Sequence, residues 1–483
     1  MTPEPDRPRQ PLDGPAPWGP LAALTALGVL FRLLLLWLSG EPELQSDEAN
    51  YVYLALMWER FGVYLDQHRF LWPPAYTFYL GAAFEAFGDR GLLAARIGQA
   101  LASASIGLTT MLFAYRLFGR RAAVTAGLIW VAYLPLAVFS HLLWNETLFL
   151  AVFLPGLYQV MRVSQGDVGR VDLRLIMAGV AFAIALLLKE SPTYLLPALA
   201  GLLWLGPEER LEGFRRASLL LLTTAVILVP WGLRNQEVYG RFVFSGASIG
   251  ENAYNGLNAS YRNFDLIALD TERMRRDQPS ITGAARQWFI QAEDGTQWER
   301  AEEVPNVVER SDVQVSRGLE YAREHPGWFV RSRLKKLADL ATPMSFYTRH
   351  MALGHYDQGL LGGNILRKAS GIWAMAGPLL ILPLGIYGLF ALMRWNRQGL
   401  VPAMTILYVV GTSLLVAMSR FRTPAEPLLI ALAAGVIAGP RIQVPSARKG
   451  LALAAVTLLL FAWWINLPEI STVFSEMIWR AES

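Results

Sequence analysis

LLAARIGQALASASIGLTTMLFAYRLFGRRAAVTAGLIWVAYLPLAVFSHLLWNETLFLAVFLPGLYQVMRV, residues 92–163, is three apolar blocks parted by Arg120–Arg121 and by Asn145–Glu146. Each block is close to the roughly 20 residues a helix needs to cross a hydrocarbon core about 30 Å thick. In such a solvent every backbone polar group must be paired within its own segment, so the blocks are read as transmembrane helices rather than open sheet.

The same pattern extends in both directions. Apolar blocks fall at 21–39, 91–118, 122–140, 146–162, 174–188, 193–206, 217–232, 371–393, 400–418, 424–439 and 450–467. The fold class expected is therefore an all-α polytopic membrane protein with about eleven spans, in a range of about ten to thirteen. Composition agrees, with 53% hydrophobic and only 17% charged residues among 483. There is no cysteine, which excludes disulfides, thiol nucleophiles and Cys-ligated metals. The net charge of +4 comes from basic residues scattered through short loops, which suits lipid and topology and argues against a nucleic-acid partner.

Lys and Arg favour short cytoplasmic loops. With the N-terminus inside, the inner connections hold Arg120 and Arg121; Arg162, Arg170 and Arg174; Arg210, Arg215 and Arg216; Arg394 and Arg397; and Arg441, Arg448 and Lys449. Every one is basic, so both large loops fall outside. The domain reading is a disordered cytoplasmic tail (1–20), an N-terminal transmembrane module (21–232) with a first outer loop (40–90), an extracytoplasmic loop region (233–360), a C-terminal transmembrane module (361–467) and an outer tail (468–483). Within the first outer loop, 74–88 is read as a juxtamembrane helix, since aromatic amphipathic segments settle at the headgroups. In the second, 326–343 places Trp328, Phe329, Leu334, Leu337 and Leu340 on one helical face and is read as a surface helix.

Charged side chains at the outer mouths of the spans are the candidates for chemistry, because charge beside hydrocarbon is costly. Asp47 and Glu48 follow the first span, and Glu146 opens the fourth. A carboxylate there can act as a general base toward a hydroxyl or hold a divalent ion. Helix capping is the structural alternative for each. Arg69, Lys189, Arg234, Arg420 and Arg422 are cations at the same face, suited to a phosphate anion or, as the alternative, to snorkelling. No HxxxH or HxxE pair supports zinc, and no GxxxxGK loop supports ATP.

In order along the chain, SDEANYVYLA (46–55), FLWPPAYTFYLGAAFEAFGDRGLLAARIGQAL (70–101), NETLFL (145–150), LLLKESPTYLLP (186–197), PWGLRNQEVYGRFVFSGASIGENAYNGLN (230–258) and RFRTPAEPLLIALAA (420–434) resemble the motifs of the polyprenyl-phosphate-sugar-dependent glycosyltransferases of the GT-C class. The branch they are similar to includes protein O-mannosyltransferases and the lipid A aminoarabinose transferase. The resemblance implies a GT-C-like bundle with juxtamembrane helices and a larger outer loop region. It places Asp47 in the catalytic position, with Glu48 beside it, and Glu146 in the active-site cavity. Lys189, Arg234, Arg69, Arg420 and Arg422 would meet the donor phosphate, and Tyr51, Trp72, Asn252, Asn255 and Asn258 the sugar or acceptor. Some relatives have a lysine beside the Pro-rich turn where this chain has Trp72.

The function implied is transfer of a hexose or pentose from a polyprenyl phosphate to a lipid, glycan or protein acceptor, with inversion, outside a bacterial cytoplasmic membrane. A divalent cation, if one takes part, would sit on Asp47 and Glu146; no other cofactor is implied. The rival readings are a flippase for lipid-linked sugars and a noncatalytic envelope-assembly subunit. A flippase would carry polar residues along the middle of its spans, whereas charges are read here only near their ends.

Overall fold

The computed structural model describes residues 15–42, 44, 47–62, 64, 71–167, 169–257, 306–393, 399–440 and 443–479, without the side chains of residues 254 and 255. Among them every regular element is helical. In chain order these are α1 Trp18–Ser39, α2 Asp47–Phe61, α3 Ala75–Phe87, α4 Gly91–Phe118, α5 Arg120–Ala132, α6 Leu134–Ala137, α7 Glu146–Ser164, α8 Val171–Leu188, α9 Leu196–Leu205 and α10 Arg210–Tyr239. They continue with α11 Ile249–Gly256, α12 Val307–Glu324, α13 Pro326–Ala341, α14 Phe346–Leu353, α15 Asn364–Ala391, α16 Leu400–Ser413, α17 Glu426–Ala438, α18 Ser446–Ile465 and α19 Leu467–Trp479.

Among the described residues seven helices are long and apolar enough to cross a membrane, or eight if the bent pair Arg120–Ala132 and Leu134–Ser140 is one span. The expected count of eleven is not reached on length. The stretches expected at 193–206, 400–418 and 424–439 form shorter apolar helices, Ser191–Leu205, Leu400–Ser413 and Glu426–Ala438. At 1.5 Å per residue, the 13 residues of α17 extend only about 20 Å. That helix is also buried on every side from Glu426 to Gly435, so it meets protein where a peripheral span would meet lipid.

The bend after α5 is 62° and falls at Tyr133, just before Pro135, whose ring and missing N–H interrupt the helical ladder. Trp130, on the last turn of α5, is fully buried between α1 and α4. A Cβ added to Gly28 or Gly107 would collide with its indole ring. Arg32 lies over that ring at 4.0 Å and donates to Gly28 O (3.0 Å) and Trp130 O (3.4 Å). It corrects the expectation that charge lies only near span ends. Its guanidinium meets one carbonyl at the C-terminal end of α5, that of Trp130, where a cation suits the helix dipole.

The juxtamembrane helix expected at 74–88 is α3, and it doubles back on α4 at Gly88–Gly91. Tyr79 donates to Ala95 O (2.5 Å) and Tyr76 to Gln99 Oε1 (2.6 Å). In one straight helix those pairs would be about 24 and 34 Å apart. The surface helix expected at 326–343 is α13, but its buried side is not the apolar stripe. Leu334 is 64% exposed, while Ser332, Lys336 and Asp339 are buried with Leu340. Polar partners decide the orientation: Lys335 bonds Asp339, Asn466 and Glu469, and the Asn466 amide also donates to Asp339.

Candidate active site

Four helix ends bring four charged side chains together. Asp47 begins α2 and Glu146 begins α7, positions at which helix dipoles favour carboxylates. Lys189 follows α8 in extended conformation, and Arg420 sits in the 3₁₀ turn Ser419–Arg422 between α16 and α17. Lys189 Nζ is 2.9 Å from Glu146 Oε1. Arg420 reaches both acids, with Nη1 3.1 Å from Asp47 Oδ2 and Nε 3.5 Å from Glu146 Oε1. Two anions and two cations therefore form one formally neutral cluster.

Aromatic rings wall this cluster. The Arg420 guanidinium lies 4.3 Å from the Trp144 ring, with Phe421 at 5.2 Å and Phe346 at 5.8 Å. The Lys189 ammonium sits between Phe149 (5.8 Å) and Phe421 (5.7 Å). Burial pushes the Lys189 pKa down, and Glu146 opposes that by favouring the charged form. Of the acids, Asp47 is the more open: its side chain is 28% exposed against 1% for Glu146. Glu146 Oε2 is buried without a hydrogen-bond partner among the described residues.

Residues that carry no charge hold the frame. Asn145 Nδ2 donates to Tyr51 Oη (3.1 Å) and to Leu188 O (2.6 Å), tying α2, α7 and α8 together beside the cluster. Tyr51 meets Trp72 and Tyr76 edge-on at 4.0 and 4.7 Å. Gln99 accepts from Tyr76 and donates to Leu142 O (2.8 Å), fixing the turn that leads into Trp144–Glu146. Asn145, Trp144 and Gln99 were not singled out from sequence. The run WNE held a signal for the first two, but a glutamine inside an apolar helix reads as ordinary packing.

The other expected residues are placed differently. Glu48 is buried, and its Oε1 accepts the Leu143 amide at 2.6 Å, so it anchors the turn before Glu146. Arg422 does not join the cluster. It bonds Glu426 (2.7 Å), Leu340 O (3.0 Å), Thr342 O (2.5 Å) and Met344 O (3.2 Å), clamping the end of α13. Arg234 donates to Tyr64 O (2.9 Å) and stacks on Trp231 (4.9 Å). Through Tyr64, whose hydroxyl donates to Trp72 O (2.8 Å), it reaches the site's margin. Asn252 donates to Ser248 Oγ at 3.3 Å. Arg69, Asn258 and the side chain of Asn255 lie outside the described residues.

The chain is expected to lack a G-x-S-x-G elbow, yet GASIG, residues 246–250, has that spacing. Ser248 instead donates to Glu190 and precedes α11, with no strand before it among the described residues, so the strand-to-helix turn of an elbow is missing. No group of three or more His, Cys, Asp or Glu residues suited to a metal occurs among the described residues. Asp47 and Glu146 alone fit a divalent ion poorly, since Arg420 already pairs with both.

Fold and site together define a polytopic membrane protein with a charged, aromatic-walled cluster at the ends of apolar helices. Residues 72–233 match the family described as dolichyl-phosphate-mannose-protein mannosyltransferase, and over that stretch the resemblance read from the motifs is borne out. Among solved structures, the apo oligosaccharyltransferase of Archaeoglobus fulgidus is similar at a TM-score of 0.47 and 12% identity, over 95% of this chain and 56% of that one. The same organism's oligosaccharyltransferase AglB with an inhibitory peptide and a dolichol-phosphate gives 0.43 and 13%, over 95% and 56%. ArnT from Cupriavidus metallidurans bound to undecaprenyl phosphate gives 0.41 and 16%, over 94% and 89%. The chain thus spans just over half the length of the archaeal chains it matches. No curated protein matches it significantly.

Proposed function

We propose that this protein is a membrane glycosyltransferase that moves a sugar from a polyprenyl-phosphate donor to an acceptor hydroxyl on the extracytoplasmic face of a bacterial cytoplasmic membrane, inverting the anomeric centre. One observation carries the reading: Arg420 bridges Asp47 and Glu146 while Lys189 pairs with Glu146. The match of residues 72–233 to a lipid-phosphate-sugar transferase family supports it.

In this reading Asp47, the more exposed acid, removes the acceptor proton as the acceptor oxygen attacks the anomeric carbon. The bond from that carbon to the phosphate oxygen breaks, and its electron pair stays on the departing lipid phosphate. Lys189 and Arg420 stabilise the charge that develops there, in aromatic surroundings where each interaction counts for more than in water. Glu146 keeps the two cations in place between turnovers. The region 233–360 covers donor and acceptor, and the modules 21–232 and 361–467 frame a groove for the prenyl tail. Arg69 and Asn258 remain candidates for the phosphate and the sugar.

The test is transfer in proteoliposomes offered a panel of undecaprenyl-phosphate hexoses and pentoses. Wild type should release undecaprenyl phosphate, and Asp47→Asn, inserted at normal levels, should not. Unimpaired transfer by Asp47→Asn would sink the assignment.

A further inference from the structure

Two ionisable residues next to the site, the half-buried Glu190 and the buried Lys336, have no part in the mechanism above. They hold opposite ends of one short helix. At the N-terminal end of α11, Glu190 Oε2 accepts the Ser248 amide at 3.1 Å, and the Ser248 hydroxyl donates to Glu190 Oε1. A carboxylate there suits the helix dipole. The preceding residue, Ala247, donates its amide to Leu71 O at 2.9 Å. A Cβ on Gly246 would lie 2.8 Å from Leu71 O, 2.9 Å from Pro73 Cδ and 3.0 Å from Glu190 Oε2, so only glycine fits this junction. At the C-terminal end, Gly256 O accepts from Lys336 Nζ and, at 2.5 Å, from Arg333 Nη2. Lys336 Nζ also donates to Leu415 O at 2.7 Å, and a Cβ on Gly256 would collide with the Leu415 carbonyl.

Glu190 follows Lys189, and Leu415 lies on the segment leading to Arg420. We propose that α11 is a strut setting the spacing of the Lys189 and Arg420 segments, with Glu190 and Lys336 as positioning residues at its two ends. The inference rests on the glycosyltransferase reading for its kinetic consequence, though not for its geometry. α12 supports the strut from the side, where the Gly250 amide donates to Ser311 Oγ at 3.0 Å. Freeing either end lets the cations drift from the leaving phosphate, and small misplacements at a reacting centre are costly.

The experiment uses the full chain in proteoliposomes with undecaprenyl-phosphate sugar. Glu190→Ala and Lys336→Met should each lower kcat/KM about tenfold, chiefly through kcat. The double variant should be no worse than the poorer single one, because one freed end already releases the strut. Glu190→Gln, which keeps an acceptor oxygen for Ser248, should restore most of the rate. The chain has no native cysteine, so spin labels can be placed at Tyr194→Cys and Asn252→Cys alone. Their distance distribution should be narrow in the otherwise wild-type protein and broad after either substitution. If the kinetic losses multiply to about a hundredfold and Lys336→Met leaves the distribution narrow, the strut is overturned. If no sugar is transferred by any variant while the distribution responds as expected, the glycosyltransferase reading fails and the strut stands.

Discussion

Arg420 and Asp47, separated by 373 positions in the chain, meet at 3.1 Å from Nη1 to Oδ2. The turn before α17 thereby faces the first residue of α2, and Arg420 carries Glu146 into the same cluster through its Nε. Everything proposed for the chemistry depends on that junction.

Asp47→Asn should lower transfer by about 10² to 10⁴, the range that a general base supplies. Its Tm in detergent should stay within a few degrees of wild type, because Asp47 is partly exposed and its pairing with Arg420 is partly screened. Initial rates and a thermal scan on the same preparation check both.

Glu146→Gln leaves Lys189 and Arg420 without their buried counter-ion. Breaking a buried pair by removing one partner costs about 3 kcal/mol or more, so the variant should melt several degrees lower. Added undecaprenyl phosphate should raise its Tm more than that of wild type, since the ligand anion then takes the empty counter-charge role. An equal shift in both proteins would place the phosphate elsewhere.

Arg420 and Arg422 should separate cleanly. Arg420→Gln is expected to reduce kcat/KM by about 10² through lost stabilisation of the leaving group. Arg422→Gln removes donors from the carbonyls of Leu340, Thr342 and Met344, so it should lower Tm while leaving donor KM unchanged at permissive temperature. Donor titrations of the two variants side by side decide this.

Burial pushes the Lys336 pKa down to about 6. An unfolded lysine holds its proton until about pH 10.4. Between those values the unfolded state binds more protons, so this residue makes stability rise with pH across that window, at no more than about 1.4 kcal/mol per unit. The Tm of wild type minus that of Lys336→Met should therefore increase from pH 6.5 to 8.5. A flat or falling difference would contradict the burial described for this side chain.

Much of the architecture was legible in the linear chain. Apolar blocks near the length of a bilayer dictate helices, because hydrocarbon tolerates no unpaired backbone, and polar breaks at Ser46–Glu48, Asn145–Glu146 and Lys189–Glu190 put charge at helix ends. Number was less legible than kind. α17 reads as a span because it is apolar beyond Glu426, yet from Glu426 to Gly435 it is enclosed by protein. Composition alone does not tell lipid from protein as the neighbour of a leucine. On α13 the converse holds: the apolar stripe gives a surface helix, and the buried hydrogen bonds of Lys336 and Asp339, which no periodicity shows, set which side faces inward.

What the sequence by itself determined is a helical membrane protein with acids and cations at the helix ends. Which cation serves which acid was decided only by the tertiary structure. Arg420 and Arg422 are near twins in sequence, but a 3₁₀ turn separates residues two apart by about 240°, sending one to Asp47 and Glu146 and the other to Glu426 and the backbone of α13. Lys189 and Glu190 diverge in the same way, one to Glu146 and one to Ser248. Charge pairing acts over a few ångströms, and only the packing of distant helices fixes which groups come that close.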